Sequence, residues 1–201
     1  MLIGLLSVLA AYLIGSIPFG LIVVKSMTGA DVREGGSGNI GATNVMRTTG
    51  RLAGVLTLVL DAAKGLLAVW LADRLTGGNV YWMSAAAFVV LLGHAFPVWL
   101  KFHGGKAVAS AVGAFAYLTP LPLLAVLLLF VLVVAWTRYL SLGSLVAAGL
   151  LPIACWMILH PAWPVLAAAA GAAVLVIDRH RGNIARIRAG EERVFQFRRT
   201  V

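Results

Sequence analysis

The sequence predicts an all-α integral membrane protein with about seven transmembrane helices, some of them short, the amino end outside and the carboxyl end cytoplasmic. Three observations carry that expectation. Of the 201 residues 61% are hydrophobic, and the mean hydropathy is +0.97, whereas soluble domains are about 45–50% apolar. Charged residues make up 11%, less than half of the roughly 25% usual in soluble domains. Apolar runs of span length recur along the chain, separated by short polar, basic loops.

The first run, residues 2–24, has no basic start and leads into a polar glycine-rich motif instead of a small-residue cleavage site. It therefore reads as a span and not as a removable signal. The runs at 52–71, 80–100 and 140–159 also reach the roughly 17–25 residues that a span needs. Those at 107–119, 121–136 and 162–177 are short. Residues 107–136 read either as one long span or as a hairpin broken at Thr119-Pro120-Leu121-Pro122, because proline removes a helix donor and turns the preceding residue away from helix.

Charge settles the orientation, since cytoplasmic loops are enriched in Lys and Arg. With seven spans and an outer amino end, Lys25, Arg33, Arg47, Arg51, Lys101, Lys106 and Arg138 fall inside. So do Arg179, Arg181, Arg186, Arg188, Arg193, Arg198 and Arg199 of the tail. That is fourteen of the sixteen basic residues. Merging two pairs of runs gives five spans with the same sidedness. No internal repeat or linker is visible, so residues 1–201 are expected to form one polytopic domain. Residues 179–201 form its basic cytoplasmic tail, which begins as a surface helix on Ile184 and Ile187.

The net charge is +9. Its basic residues flank spans and do not form a soluble basic domain, which argues against nucleic acid as partner. Anionic headgroups and phosphorylated substrates suit it. The single cysteine, Cys155, lies in an apolar run and reads as a buried core thiol.

Three stretches are too polar for their surroundings: GSGNIGATNVMRTTG (36–50), GHAFPVWLKFHGGKAVAS (93–110) and HRGNIARIRAGEE (180–192). Polar groups beside a bilayer are costly unless they meet each other, water or a ligand. All three fall on the cytoplasmic face of the predicted topology. In the first, glycines such as Gly36, Gly38 and Gly41 allow the backbone to turn N–H groups onto an anion. Ser37, Asn39, Thr43 and Asn44 add side-chain hydrogen bonds, and Arg47 adds a planar fork that matches phosphate. It is no P-loop, because Ala42 stands where Lys is required. The competing reading is an ordinary glycine-rich turn.

In the second stretch Gly104-Gly105-Lys106 leads into an apolar run. A helix starting there offers free amides and a dipole to an anion, with Lys106 adding a full charge. A flanking lysine with no ligand is the alternative. His94 reads as a hydrogen-bonded interior histidine. In the third stretch His180, Asn183 and Arg186 share one helix face, and Glu192 is placed to orient a cation; a lipid-resting basic helix is the alternative. Asp61 and Lys64 lie inside a span at i,i+3. They read as a self-neutralising pair, as a functional pair, or with Lys64 reaching toward the cytoplasmic site.

Several signatures are missing. None of the four histidines has aspartate five positions on, which removes the His-x4-Asp pattern of thioester-dependent acyltransferases. There is no G-x-S-x-G elbow, no Cys–His pair and no carboxylate cluster for Mg²⁺. An enzyme built this way works by positioning and electrostatics.

In their order and spacing the three stretches resemble the bacterial acyl-phosphate-dependent glycerol-3-phosphate acyltransferases, the PlsY family. The resemblance rests on S-G-N-I-G-A-T-N-x-x-R, on G-H-x-F-P followed by F-x-G-G-K, and on H-x-x-N-I-x-R with a later Glu. The three stretches cover 46 of the 201 residues. Ala107 departs from the pattern, since the family usually continues with Gly there, and it is expected to stiffen the helix start.

The resemblance implies transfer of a fatty acyl group from acyl phosphate to the sn-1 hydroxyl of glycerol-3-phosphate. It implies no cofactor, no metal and no covalent acyl-enzyme, a soluble enzyme that supplies the acyl phosphate, and a place in the bacterial inner membrane. On this reading Ser37, Gly38 and Asn39 cradle the donor phosphate, helped by Gly36, Gly41, Thr43 and Asn44. Arg47, Lys106 and Asn183 hold glycerol-3-phosphate beside Gly104, Gly105, Arg186 and Glu192. His180 orients or polarises the reacting groups, and either it or a substrate phosphate takes the hydroxyl proton. The alternative is a transporter of a small phosphorylated anion, which predicts midplane polar residues and repeated halves.

Overall fold

Pro18 breaks the first apolar run. Ile17, held extended ahead of it (φ −64°, ψ 116°), separates α1 (Leu2–Ser16) from α2 (Phe19–Thr28). The structure, a computed structural model, describes residues 1–195, and the regular elements among them are helical. After a short 3-10 turn at Val32–Glu34 come α3 (Ala42–Thr48), α4 (Arg51–Thr76) and α5 (Val80–Ala95). A second 3-10 turn at Val98–Leu100 precedes α6 (Val108–Leu118), α7 (Pro120–Thr137), α8 (Leu140–Leu159), α9 (Trp163–Arg179) and α10 (Arg181–Ala189).

Each of the seven apolar runs is helical. Among the described residues five stretches are long and apolar enough to cross a membrane: Leu2–Thr28, Arg51–Thr76, Val80–Leu100, Pro120–Thr137 and Leu140–Leu159, with Val108–Leu118 a shorter apolar helix. Residues 107–136 divide at Thr119, as the broken alternative expects, because Pro120 and Pro122 suit only the first turn of a new helix. Residues 196–201 of the expected basic tail, with Arg198 and Arg199, lie outside the described residues.

The helices group into two units. In the first, Met1–Leu118, α1 packs on α5 through a stripe of buried small residues, Gly4, Ser7, Ala11 and Gly15. A Cβ on Gly15 would lie 2.2 Å from the Val90 carbonyl oxygen, and one on Gly93 would lie 2.3 Å from that of Tyr12. α4 and α6 meet as closely, since a Cβ on Gly113 would lie 1.8 Å from the Ala62 carbonyl oxygen. Lipid is as apolar as a leucine side chain, so close approach of small residues supplies what water-driven burial does elsewhere. A small core of Val23, Val24, Val32, Ile40, Val45, Ala53 and Leu100 underlies residues 32–45. Val32 and Ile40 thereby pin both ends of the glycine-rich loop.

In the second unit, from Thr119 onward, α8 packs between α7 and α9. Cys155 is buried with its Sγ 3.7 Å from Thr119 Oγ1, a core thiol as expected. The chain turns at His180 from α9 into α10. Ile184 and Ile187 are half-buried while Arg181 and Arg188 are exposed, the amphipathic pattern expected there. Beyond α10 the chain doubles back, and the Phe195 N–H donates to the Arg138 carbonyl at 2.8 Å. That return carries Glu192 to the first turn of α8.

Candidate functional site

Asn44 organises the first polar stretch. It is 2% exposed. The two hydrogens of its Nδ2 are shared among the carbonyls of Asn39 (2.8 Å), Val32 (3.1 Å) and Gly35 (3.1 Å), and its Oδ1 accepts the Ser37 N–H at 2.8 Å. Gly36 has φ +63°, and a Cβ there would sit 2.2 Å from Asn44 Oδ1, so this turn requires glycine. The Gly38 N–H donates to Gly35 O (3.0 Å) and the Gly41 N–H to Asn39 Oδ1 (2.8 Å).

Two expectations are corrected here. The amides of Ser37, Gly38 and Gly41 are engaged within the loop instead of converging on an anion, and Asn44 is a buried scaffold instead of a ligand contact. What the loop presents outward is side chains. Ser37, Thr43 and Arg47 are exposed, and Asn39 is half-buried. Thr43 and Arg47 are i,i+4 on α3 and share a face. At the foot of the loop Asp31 accepts the Arg33 side chain and backbone. These hydrogen bonds, the side-chain one first, hold its carboxyl down at about 2.

The second stretch leaves α5 at Phe96, whose carbonyl accepts the Tyr12 hydroxyl at 2.8 Å. Lys101 and Phe102 take left-handed conformations (φ +51° and +62°), and the chain folds back. The Gly104 N–H donates to Ala95 O and the Gly105 N–H to His94 O, both at 3.1 Å. A Cβ on Gly104 would lie 2.1 Å from the His94 carbonyl oxygen, and one on Gly105 would lie 2.1 Å from His94 Nε2. The expected anion site on these two amides is therefore corrected: Gly104 and Gly105 permit close backbone return and face the end of α5. Lys106 is half-buried at the end of this return. Ala107 does not open the helix. It is fully buried at φ +61°, and α6 begins at Val108. Its methyl group sits where glycine is easier, so the family departure strains the turn instead of stiffening a helix.

Below these loops lies a buried polar cluster. Lys64 Nζ is 2.8 Å from Asp61 Oδ1 and donates to the Ile17 carbonyl at 2.8 Å. His94, 4% exposed, has Nδ1 3.6 Å from Asp61 Oδ1. Lys64 thus pairs within the helices, which corrects the thought that it reaches the cytoplasmic site. His94 is the interior histidine expected.

In the second unit His180 is 3% exposed, and its Nδ1 lies 2.7 Å from the Val176 carbonyl. A carbonyl only accepts, so Nδ1 carries a proton and donates it there. Asn183, one turn on, donates Nδ2 to Glu192 Oε1 at 2.7 Å. Arg186 Nε reaches Glu192 Oε2 at 2.9 Å, and Ser141 Oγ donates to Oε1 at 2.8 Å. Glu192 is therefore the hub of the cluster, which corrects its assignment as a substrate contact. Burial pushes its carboxyl upward, but hydrogen bonds from Asn183, Ser141 and Arg186, with the Arg186 charge, outweigh that and hold it below the ordinary value. The sequence pattern does not single out Ser141. Nothing near it in sequence marks it, and the partner that gives it meaning is 51 positions away.

Each unit carries polar groups suited to an anion. The first offers hydroxyls, a carboxamide, a guanidinium and an ammonium. The second offers an imidazole held at Nδ1, and a carboxamide and a guanidinium both oriented by one carboxylate. Such groups hold and neutralise phosphate and steer a proton.

A family model described as glycerol-3-phosphate acyltransferase matches residues 5–190. A protein from Anaeromyxobacter dehalogenans named glycerol-3-phosphate acyltransferase is 46% identical over 195 residues, covering 96% of this chain and 97% of that one. Two crystal structures of PlsY (YgiH), described as an integral membrane glycerol 3-phosphate acyltransferase, share the fold. The glycerol 3-phosphate form has TM-score 0.90 and 37% identity, over 96% of each chain. The lysophosphatidic acid form has TM-score 0.87 and 36% identity, over 96% of this chain and 95% of that one.

Proposed function

The chain belongs to the glycerol-3-phosphate acyltransferase family, and we propose that it moves a fatty acyl group from acyl phosphate to the sn-1 hydroxyl of glycerol-3-phosphate. The products are 1-acyl-glycerol-3-phosphate and inorganic phosphate. The related structures were solved with glycerol 3-phosphate and with lysophosphatidic acid, which are the acceptor and the product of this reaction.

The observation that carries the reading is the condition of three groups able to attack carbon. Cys155 is buried against Thr119, Ser141 donates to Glu192, and Glu192 is bound by three donors. These three are engaged within the protein, which supports direct transfer from a donor that arrives activated. Acyl phosphate meets that need: the acceptor oxygen attacks the acyl carbon, the carbon–oxygen bond to phosphate breaks, and the electron pair leaves on phosphate.

The protein then supplies alignment and charge neutralisation. Ser37 and Asn39 hold the donor phosphate through their side chains, with Gly36 and Gly38 shaping the loop. Arg47, Lys106 and Asn183 hold glycerol-3-phosphate. His180, held through Nδ1 by the Val176 carbonyl, orients the reacting hydroxyl. The proton of that hydroxyl goes to Nε2 or to a phosphate oxygen; a full rate for His180→Gln across pH 6–9 would assign it to phosphate. The protein sits in the bacterial inner membrane with this chemistry on the cytoplasmic face, where a soluble enzyme delivers the donor.

The test uses purified protein in detergent with glycerol-3-phosphate, and either palmitoyl phosphate or palmitoyl-CoA. Product forms with the phosphate and not with the thioester. Product from the thioester alone overturns the donor assignment. In the same assay Arg47→Ala and Lys106→Ala raise KM for glycerol-3-phosphate or abolish turnover, and wild-type kinetics in both remove the phosphate-holding assignment.

A further inference from the structure

Asp61 and Lys64 are almost fully buried on α4, and intramembrane charges are expensive. A pair that only cancels itself needs nothing beyond its own contact. This pair reaches further, in two directions. Lys64 Nζ donates to the Ile17 carbonyl, at the Pro18 break between α1 and α2, and lies 5.7 Å from the centre of the Phe19 ring. Asp61 Oδ1 faces His94 Nδ1 at 3.6 Å, at the end of α5.

Each direction leads to one of the polar loops of the first unit. The break that Lys64 holds sets the course of α2. α2 crosses the glycine-rich loop so closely that a Cβ on Gly20 would lie 1.8 Å from the Ile40 carbonyl oxygen, next to the Gly41 cap of α3, the helix that carries Arg47. On the other side His94 accepts the Gly105 N–H through its carbonyl, and its ring lies against the Gly105 Cα. Lys106 follows directly. The Tyr12 hydroxyl, from α1, adds a second tie to the same return at Phe96.

We infer that the Asp61–Lys64 pair and His94 are positioning residues that register α3 and its loop against residues 104–106, so that Arg47 and Lys106 address one phosphate. This rests on the reading of Arg47 and Lys106 as holders of glycerol-3-phosphate. The ion pair is the rigid centre, and the two loops hang from its two ends. A buried pair whose partners must both stay charged and placed suits this work, because a buried charge tolerates little displacement from its partner.

The test combines a distance with kinetics. In a Cys155→Ala background, which removes the single cysteine, nitroxides go on Glu34→Cys and His103→Cys, both exposed positions in the two loops. Pulsed EPR in lipid nanodiscs reads the distribution of distances between them. The variant Asp61→Asn/Lys64→Met removes both charges together, so no lone buried charge remains. His94→Gln, a neutral exchange, is the second variant should the first fail to fold.

The distance distribution broadens or shifts in each folded variant. In the enzyme without labels, KM for glycerol-3-phosphate rises about tenfold or more while KM for palmitoyl phosphate stays within about twofold, a split that general loosening would not produce. A wild-type distance distribution with wild-type KM in a folded variant overturns the inference. Lys106→Ala is measured alongside. A wild-type KM there removes the phosphate-holding reading instead, and the EPR arm still decides whether the pair registers the loops.

Discussion

Replacing Glu192 by glutamine exchanges one oxygen for an NH2 group at the centre of the second unit's cluster. In the native protein two carboxylate oxygens accept from Ser141, Asn183 and Arg186 at 2.7–2.9 Å, and the Glu192 side chain is 7% exposed. The glutamine has one acceptor oxygen left, so at least one of the three donors must face an N–H. Arg186 also loses its counter-charge. Hydrogen bonds to a charged group contribute about 1.5–3 kcal/mol and neutral ones about 0.5–1.5, so the exchange costs about 1–3 kcal/mol of local order. If that loss appears as misorientation of Asn183 at the transition state, kcat/KM for glycerol-3-phosphate falls about 5–150-fold. The same loss lowers Tm by about 2–12 °C, at about 2–4 °C per kcal/mol in a chain of this size. Phosphate release at saturating acyl phosphate, with a thermal melt on the same sample, reads both. A Glu192→Gln variant with kcat/KM within twofold of wild type refutes the claim that Glu192 orients the cluster. The pH dependence gives a second reading. The folded-state pKa of Glu192 lies below its ordinary value of 4.5, so its contribution is complete above that value and is lost as pH falls through the lower, folded one. Wild-type activity and stability should carry an acid limb below about 4.5 that is weaker in Glu192→Gln.

Other substitutions test the loops. Asn44→Ala removes both Nδ2 donors and the Oδ1 acceptor of the Ser37 N–H, each hydrogen bond contributing about 0.5–1.5 kcal/mol. It should release residues 32–41 to rapid hydrogen exchange and lower activity, whereas exposed Thr43→Ala should leave exchange unchanged. Gly105→Ala puts a methyl group 2.1 Å from His94 Nε2 and should cost roughly 3 kcal/mol or more or prevent accumulation in membranes. Gly182→Ala meets nothing closer than a flexible Arg186 nitrogen at 3.6 Å and should gain about 0.5–1 kcal/mol from helix propensity. Ala107→Gly relaxes the φ of +61° and should raise stability by about 1 kcal/mol, seen as a higher Tm.

The helical frame was readable because a bilayer accepts few solutions: long apolar runs become helices. The division at Thr119 was readable from Pro120 and Pro122, and the basic α10 from Ile184 and Ile187 among arginines. The direction of loop hydrogen bonds was not. Glycines in residues 36–41 suggested amides turned toward an anion, but whether an amide points in or out depends on φ values that composition does not encode. In the folded chain Asn44 collects the loop, and the side chains face out. The Gly-Gly-Lys stretch misled in the same way, since a helix start and a tight backbone return use the same residues. The Glu192 hub was only half visible. Its tie to Asn183 and Arg186 is local, but its tie to Ser141 depends on residues 190–195 doubling back to the start of α8.

The most direct measurement of the central claim omits the acceptor. Enzyme at micromolar concentration is mixed rapidly with palmitoyl phosphate, and phosphate release is followed through the first turnover time, then again after glycerol-3-phosphate is added. Direct transfer predicts no burst before the addition and stoichiometric phosphate and lysophosphatidic acid after it. A burst equal to the enzyme concentration, with an acyl group retained on the protein, would contradict the account.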